Sequence, residues 1–258
     1  MIFKTDIAGI LLTLQFVCAV AAIVTPARIG RWLWRFTLPI SVFVIGSRWL
    51  EVGYPPLRNL YEAYLWVPFL LALATEVSRL RGINTVRIDA VIGTVVNFSL
   101  AFLLSAKVKM LPAALQSAYF VPHVLGYMVA YSLLARAFML ECTAVWLRRS
   151  DDADCLARAE IFARDSHSNV NWGFLLLSIS LALGSLWGNT VWCAYWQWDP
   201  KEQWSLVTWL VYVALFYVRN RPRWRLTLLG LGVIAIFLTT TWINLAKLFA
   251  FGLHSYGG

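Results

Sequence analysis

Charge is scarce in this chain. Only 14% of its 258 residues are charged, against 60% hydrophobic, where a soluble globular domain carries about 25% charge. That balance excludes a soluble fold and points to a chain that lives in a bilayer. Cysteine is sparse too: Cys18, Cys142, Cys155 and Cys193 show no CxxC or metal-like spacing. Cys18 and Cys142 fall inside hydrophobic runs, so the sequence holds neither a disulfide framework nor a zinc site. There is no Walker motif, no GxGxxG and no HExxH, and no internal repeat or low-complexity tract. The net charge of +9 has no soluble basic face to sit on, which excludes nucleic acid as a partner.

What the chain has instead is long apolar runs. A membrane-crossing helix needs about 20 mostly apolar residues. Eight such segments are predicted, over 6–24, 33–49, 60–78, 88–105, 123–146, 170–187, 204–219 and 227–246. The expected fold is an all-α, polytopic transmembrane bundle of about eight helices, one domain over 1–258. The first segment follows Asp6 and shows no small-residue cleavage site, so it reads as a retained helix. Of the 22 basic residues, 14 fall in the linkers 25–35, 79–87, 147–169 and 219–225. The positive-inside rule places those linkers in the cytoplasm, and both termini with the remaining loops outside. The charged segment 147–167 reads as a cytoplasmic helical hairpin or surface helix, and its His167 as a solvated side chain.

Tryptophan is abundant and unevenly spread. Six of the 14 lie in WGNTVWCAYWQWDPKEQWSLVTW: Trp187, Trp192, Trp196, Trp198, Trp204 and Trp209. Pro200 disfavours helix at the residue before it, so Asp199 is expected in a turn or extended. The stretch reads as an outer-face loop or surface helix presenting a flat aromatic area. An aromatic belt at headgroup depth is the alternative. Elsewhere, Asn59 reads as the N-cap of the third helix with Glu62 in a capping box; alternatively Glu62 faces the same cavity as the tryptophans. Asn97 is expected to bond a neighbouring helix, and Arg136 to snorkel toward the cytoplasm. Asp89, beside Arg87 near a helix end, calls for no function.

The topology puts two of the three histidines, His123 and His254, on the outer face with the tryptophans. Tyr127 and Tyr131 follow His123 at spacings of four, so all three share one side of a helix. The tail FAFGLHSYGG carries His254 between apolar residues, which suggests docking on the outer surface. A flat apolar macrocycle with an iron that takes imidazole on both faces fits such a set, so haem is the expected ligand.

The stretch 187–212 resembles the tryptophan-rich "WWD" signature of the CcsA/ResC-type cytochrome c biogenesis proteins of system II. NLYEAYLW at 59–66, VPHV at 121–124 and GLHSYG at 252–257 resemble further segments of that family. The resemblance implies a haem-handling domain in which His123 and His254 are the axial ligands of haem b, bound as substrate. It also implies that Trp187, Trp192, Trp196, Trp198, Asp199 and Trp204 line the site, with Lys201 and Glu202 anchoring the loop or meeting propionates. The family delivers haem to the outer face of the membrane, in bacteria the periplasmic face of the inner membrane. It acts with a CcsB/ResB-like membrane partner to attach haem to CxxCH motifs of apocytochrome c. That would make the chain a component of a haem lyase, although no catalytic acid–base pair is visible. A non-enzymatic haem relay, and a membrane electron-transfer subunit, remain open. Three features depart from the family. Cys193 stands where Gly is usual, with little effect expected. Tyr217 stands where a histidine is usual, eight residues after the last signature tryptophan. The chain also lacks a fused partner.

Overall fold

A computed structural model describes residues 2–108, 110–218 and 221–242. His254 and the tail around it lie outside the described residues. Among the described residues there are eight α-helices and no strand. They are α1 (Ile2–Val24), α2 (Ala27–Val52), α3 (Leu60–Leu80), α4 (Val86–Phe98), α5 (Phe120–Leu147), α6 (Ala153–Trp192), α7 (Pro200–Tyr217) and α8 (Pro222–Phe237). Short π segments prolong α4 over Ser99–Leu103 and α8 over Leu238–Trp242. Six helices are long and apolar enough to cross a membrane. The other two are α2, which carries Arg28, Arg31, Arg35 and Arg48, and α7, which opens on Lys201, Glu202 and Gln203. The chain is thus the polytopic helical bundle expected from its sequence.

One element differs markedly from expectation. Residues 153–167 are neither a hairpin nor a separate surface helix; they run straight into the span 170–187 as a single 40-residue helix. At 1.5 Å per residue α6 is about 60 Å long, roughly twice the thickness of a bilayer core. The apolar half ends at Trp192, and the charged N-terminal half runs along the end of α5, with Ser166 donating to the Ala137 carbonyl and Arg148 paired with Glu160. Asp152 starts it, its carboxylate accepting from the backbone N–H groups of Asp154 and Cys155, which satisfies donors no helical carbonyl can reach.

The helices form two compact units that divide after Leu111. In the first, α1–α4, Trp34 is buried, donates its indole N–H to Thr75 Oγ1 at 2.8 Å, and lies against Gly93, where a Cβ would come within 2.5 Å of the ring. Asn59 does cap α3, accepting from Glu62 N at 2.9 Å. The Glu62 side chain does not close the expected box. It turns to the backbone N–H of Arg58 and to the Arg48 guanidinium at 2.9 Å, and it is fully buried. Arg48 also donates to the carbonyls of Ala106 and Lys107, tying α2 to the chain after α4. Asp89 is buried and accepts from the hydroxyls of Thr75 and Thr85. Asn97 is buried, and neither amide atom has a hydrogen-bond partner among the described residues, so the expected interhelical bond is not made.

In the second unit α5 and α6 form an antiparallel hairpin. Gly126 faces Ser180, and Gly173 faces Leu134 so closely that a Cβ would come within 2.8 Å of that side chain. Small residues let the two backbones approach. The register places Arg136 beside Asp165, at 3.4 Å, and Asn169, at 3.1 Å. Arg136 is 2% exposed and does not snorkel: the continuous α6 delivers a carboxylate and an amide at its own depth. Helix α8 adds a second buried pair, Arg225 with Glu141 at 2.9 Å, and Arg225 also donates to Ser166 Oγ. Removing a charge from water costs several kcal/mol, and here each guanidinium finds both a carboxylate and a neutral oxygen.

Candidate functional site

The site is built at the end of the second unit where α5 starts, α6 ends and α7 starts. Helix α5 begins at Phe120, three residues before the expected start, so His123 sits in its first turn. The His123 Nδ1 lies 2.8 Å from the carbonyl oxygen of Ser180 on α6. A carbonyl only accepts, so Nδ1 carries the proton and Nε2 is the basic ring nitrogen, the one able to bind a metal. Metal-binding histidines are commonly oriented by such a bond to a backbone carbonyl. The ring lies nearly parallel to Trp187, at 5.9 Å between centroids and 23° between planes. Gly184 makes this seat possible, since a Cβ there would overlap the imidazole.

Below the imidazole the aromatic ladder expected on α5 is present. Tyr127 meets His123 edge-on at 5.0 Å, and Tyr131 follows at 5.2 Å from Tyr127. Trp187 is held from the side by Phe120, and its indole N–H donates to the Ala114 carbonyl at 2.9 Å. Trp192 packs edge-on against Trp187 at 4.9 Å.

The loop from 193 to 199 is pinned by the start of α7. Asp199 is its N-cap, with φ −59° and ψ 147°, the extended conformation expected before Pro200. It accepts from Lys201 N at 2.8 Å and forms a capping box with Glu202. The Glu202 carboxylate also accepts from Gln197 N at 2.8 Å, and Gln203 Nε2 donates to the Trp198 carbonyl at 2.5 Å. The motif WDPKEQ is therefore first a helix-starting device, and it fixes Trp198 in a left-handed conformation, φ 58°. The Trp198 ring is 65% exposed and stands edge-on to Trp196 at 5.9 Å and 85°. The rings are not the single flat area expected: neighbours meet at steep angles. Trp209 lies deeper, bonding to Ser178 Oγ and packing on Phe174, away from the loop.

Helix α6 ends at Cys193 in a left-handed conformation, φ 56°. This is the helix-ending position that favours glycine, so the cysteine there is not neutral for the backbone. The structure brings His123, Trp187 and Trp192 into one cluster, pairs Trp196 with Trp198, and places Asp199 and Trp204 at the start of α7. His167 is about 25 Å from Gly184 along α6, near the Arg136–Asp165 pair. Tyr217 is 87% exposed and faces out of the unit. Three residues that shape the site were not singled out from sequence: Ser180 and Gly184, which seat the imidazole, and Gln203, which fixes Trp198. Their only sequence signal is a serine and a glycine four apart in the span that leads to Trp187.

The Trp196 indole N–H is buried and has no hydrogen-bond partner among the described residues. A buried donor left unpaired costs about 1–3 kcal/mol, which a ligand carrying an acceptor would relieve. A basic imidazole nitrogen, several indole faces and an unpaired donor suit a flat apolar ligand with a metal centre and an oxygen-bearing edge.

Residues 57–250 match the family described as "Cytochrome C assembly protein". The chain is 30% identical to "Cytochrome c biogenesis protein CcsA" of Guillardia theta, covering 83% of this chain and 80% of that protein. It is also 30% identical to the protein of that name from Synechococcus elongatus, over 83% and 82%, and 25% identical to that of Oryza sativa, over 84% and 82%. The chain belongs to the cytochrome C assembly protein family, as a CcsA-type cytochrome c biogenesis protein integral to the membrane.

Proposed function

We propose that this protein holds haem at the His123 end of its second unit for attachment to CxxCH motifs of apocytochrome c, together with a CcsB/ResB-like membrane partner. The observation that carries the reading is the His123 seat: its Nδ1 is bonded to the Ser180 carbonyl and its ring stacks on Trp187, an imidazole oriented as metal-binding histidines commonly are. His123 is one axial ligand and His254 the other. Trp187, Trp192, Trp196, Trp198 and Trp204 supply apolar contact. Asp199 and Glu202 act as anchors of the loop, and Lys201 offers a cation to the propionates. Bound haem supplies the vinyl groups to which cysteine thiols add. The contribution of this chain is to hold the reactants together, a proximity effect. The bias of basic residues to the opposite linkers supports an outer-face site, in bacteria the periplasmic side of the inner membrane.

A relay that passes haem without forming the bond is the second reading. Tyr217 favours it, because an outward phenol replaces the histidine usual in the family. Co-expression with a partner and a reporter apocytochrome, scored for covalent haem after denaturing electrophoresis, separates the two. The synthase reading requires covalent haem on the reporter that disappears when this chain is omitted. Haem retained on this chain with none on the reporter supports the relay.

A further inference from the structure

One end of the first unit is strongly basic. There α1 stops at Val24, α2 starts at Ala27, α3 stops at Leu80 and α4 starts at Val86. Two bonds hold three of these helices at one depth: Arg35 to Glu76 at 2.7 Å, and Thr75 to Asp89 at 2.7 Å. Residues 25–35 and 76–89 carry six arginines, Arg28, Arg31, Arg35, Arg79, Arg81 and Arg87, against two carboxylates. Neither carboxylate neutralises the surface. Asp89 is buried and accepts from two threonine hydroxyls. Glu76 is shared between Arg35 and Arg79. Arg28, Arg31 and Arg87 are exposed, and none of the three is paired with a carboxylate among the described residues. On α2 the residues Arg28, Arg31, Trp32 and Arg35 are spaced i, i+3, i+4 and i+7, so they form one stripe. The Arg35 guanidinium lies over the Trp32 ring at 5.2 Å. Further along α2 the same side turns apolar: Trp32, Phe36 and Phe43 are all more than half exposed.

We infer that this end of α2 binds an anionic phospholipid, its phosphate held by Arg28 and Arg31 and an acyl chain laid along Trp32, Phe36 and Phe43. Three arguments carry it. Basic clusters beside a membrane span attract anionic headgroups, and the guanidinium fork matches phosphate oxygens. Tryptophan collects at headgroup depth, so Trp32 sets the stripe where a lipid phosphate lies. The cations also continue into an exposed apolar stripe on the same helix, which is the shape of an amphiphile. A free phosphate or an acidic peptide would use the arginines and leave the aromatic side chains bare. Arg35 and Arg79 already share Glu76, so the headgroup is placed at the two arginines nearer the start of α2. The site belongs to the first unit alone and stands whether or not haem binds at His123.

The test uses the full-length protein purified in detergent and titrated with phosphatidylglycerol, with phosphatidylcholine, and with glycerol 3-phosphate, bound lipid being read by native mass spectrometry. Arg28→Gln with Arg31→Gln is the test variant. Arg158→Gln with Arg164→Gln, two exposed arginines of α6, removes the same charge elsewhere. Wild type should hold phosphatidylglycerol more tightly than phosphatidylcholine. The test variant should weaken phosphatidylglycerol by about 30-fold and leave phosphatidylcholine as it was, while the α6 variant stays close to wild type. If the double variant fails to insert, Arg28→Gln and Arg31→Gln alone should each cost about five-fold. Unchanged phosphatidylglycerol affinity in these variants overturns the site. So does an equal loss in the α6 variant, which is the behaviour of net charge alone, or equal affinity of wild type for the two lipids. Glycerol 3-phosphate that displaces phosphatidylglycerol at a comparable concentration overturns the lipid assignment, since the arginines then take a phosphate without its chain.

Discussion

The Nδ1 of His123 and the carbonyl oxygen of Ser180 are 2.8 Å apart, and that one bond orients the imidazole. Ser180 lies inside a helix that packs on α5 over its length, so the acceptor is part of a rigid element. A ligand set on such an element holds its geometry better than one on a loop.

Gly184 should be intolerant of any side chain. In Gly184→Ala the new methyl occupies the place of the imidazole and drives His123 off its seat, while α6, an alanine-tolerant helix, stays formed. Haem per mole of purified protein should fall at least several-fold, with the helical circular dichroism unchanged. Wild-type haem content in this variant would mean that the seat is not needed for binding.

Cys193 should be improvable. A left-handed conformation costs a residue with a Cβ about 1–2 kcal/mol that glycine avoids. Cys193→Gly should therefore stabilise the end of α6 by about 1 kcal/mol, read as a rise of about 2–4 °C in unfolding midpoint. A fall would show that the thiol makes a contact outweighing the backbone term.

The buried pair Arg225–Glu141 should respond asymmetrically. Removing one partner, as in Glu141→Leu, leaves a guanidinium buried and without its carboxylate, at a cost of about 3–5 kcal/mol. Replacing both, as in Arg225→Met with Glu141→Leu, should recover most of that loss. Expression level and unfolding midpoint in detergent check the order: wild type and double variant close together, single variant far below.

Much of this was legible in the sequence, for identifiable reasons. Helix number followed from apolar length. The shared side of His123, Tyr127 and Tyr131 followed from a spacing of four. The turn at Asp199 followed from Pro200. What was not legible depended on register between helices. Arg136 reads as a snorkelling residue until α6 is known to continue through 153–167 and to bring Asp165 alongside. That continuity was hidden because a charged, polar run reads as surface. Gly184 and Ser180 carry no motif, since their role exists only once α5 lies against α6. The left-handed backbone at Cys193 and Trp198 has no local glycine to announce it.

Ligation by His123 is read most simply from the visible absorption spectrum of purified His123→Gly, taken with and without added imidazole, beside His167→Ala. His123→Gly should lose haem or show a shifted Soret band, and imidazole should restore the wild-type spectrum by entering the opened coordination position. The His167→Ala spectrum should be unchanged. A wild-type spectrum from His123→Gly in the absence of imidazole would contradict the assignment of His123 as an axial ligand.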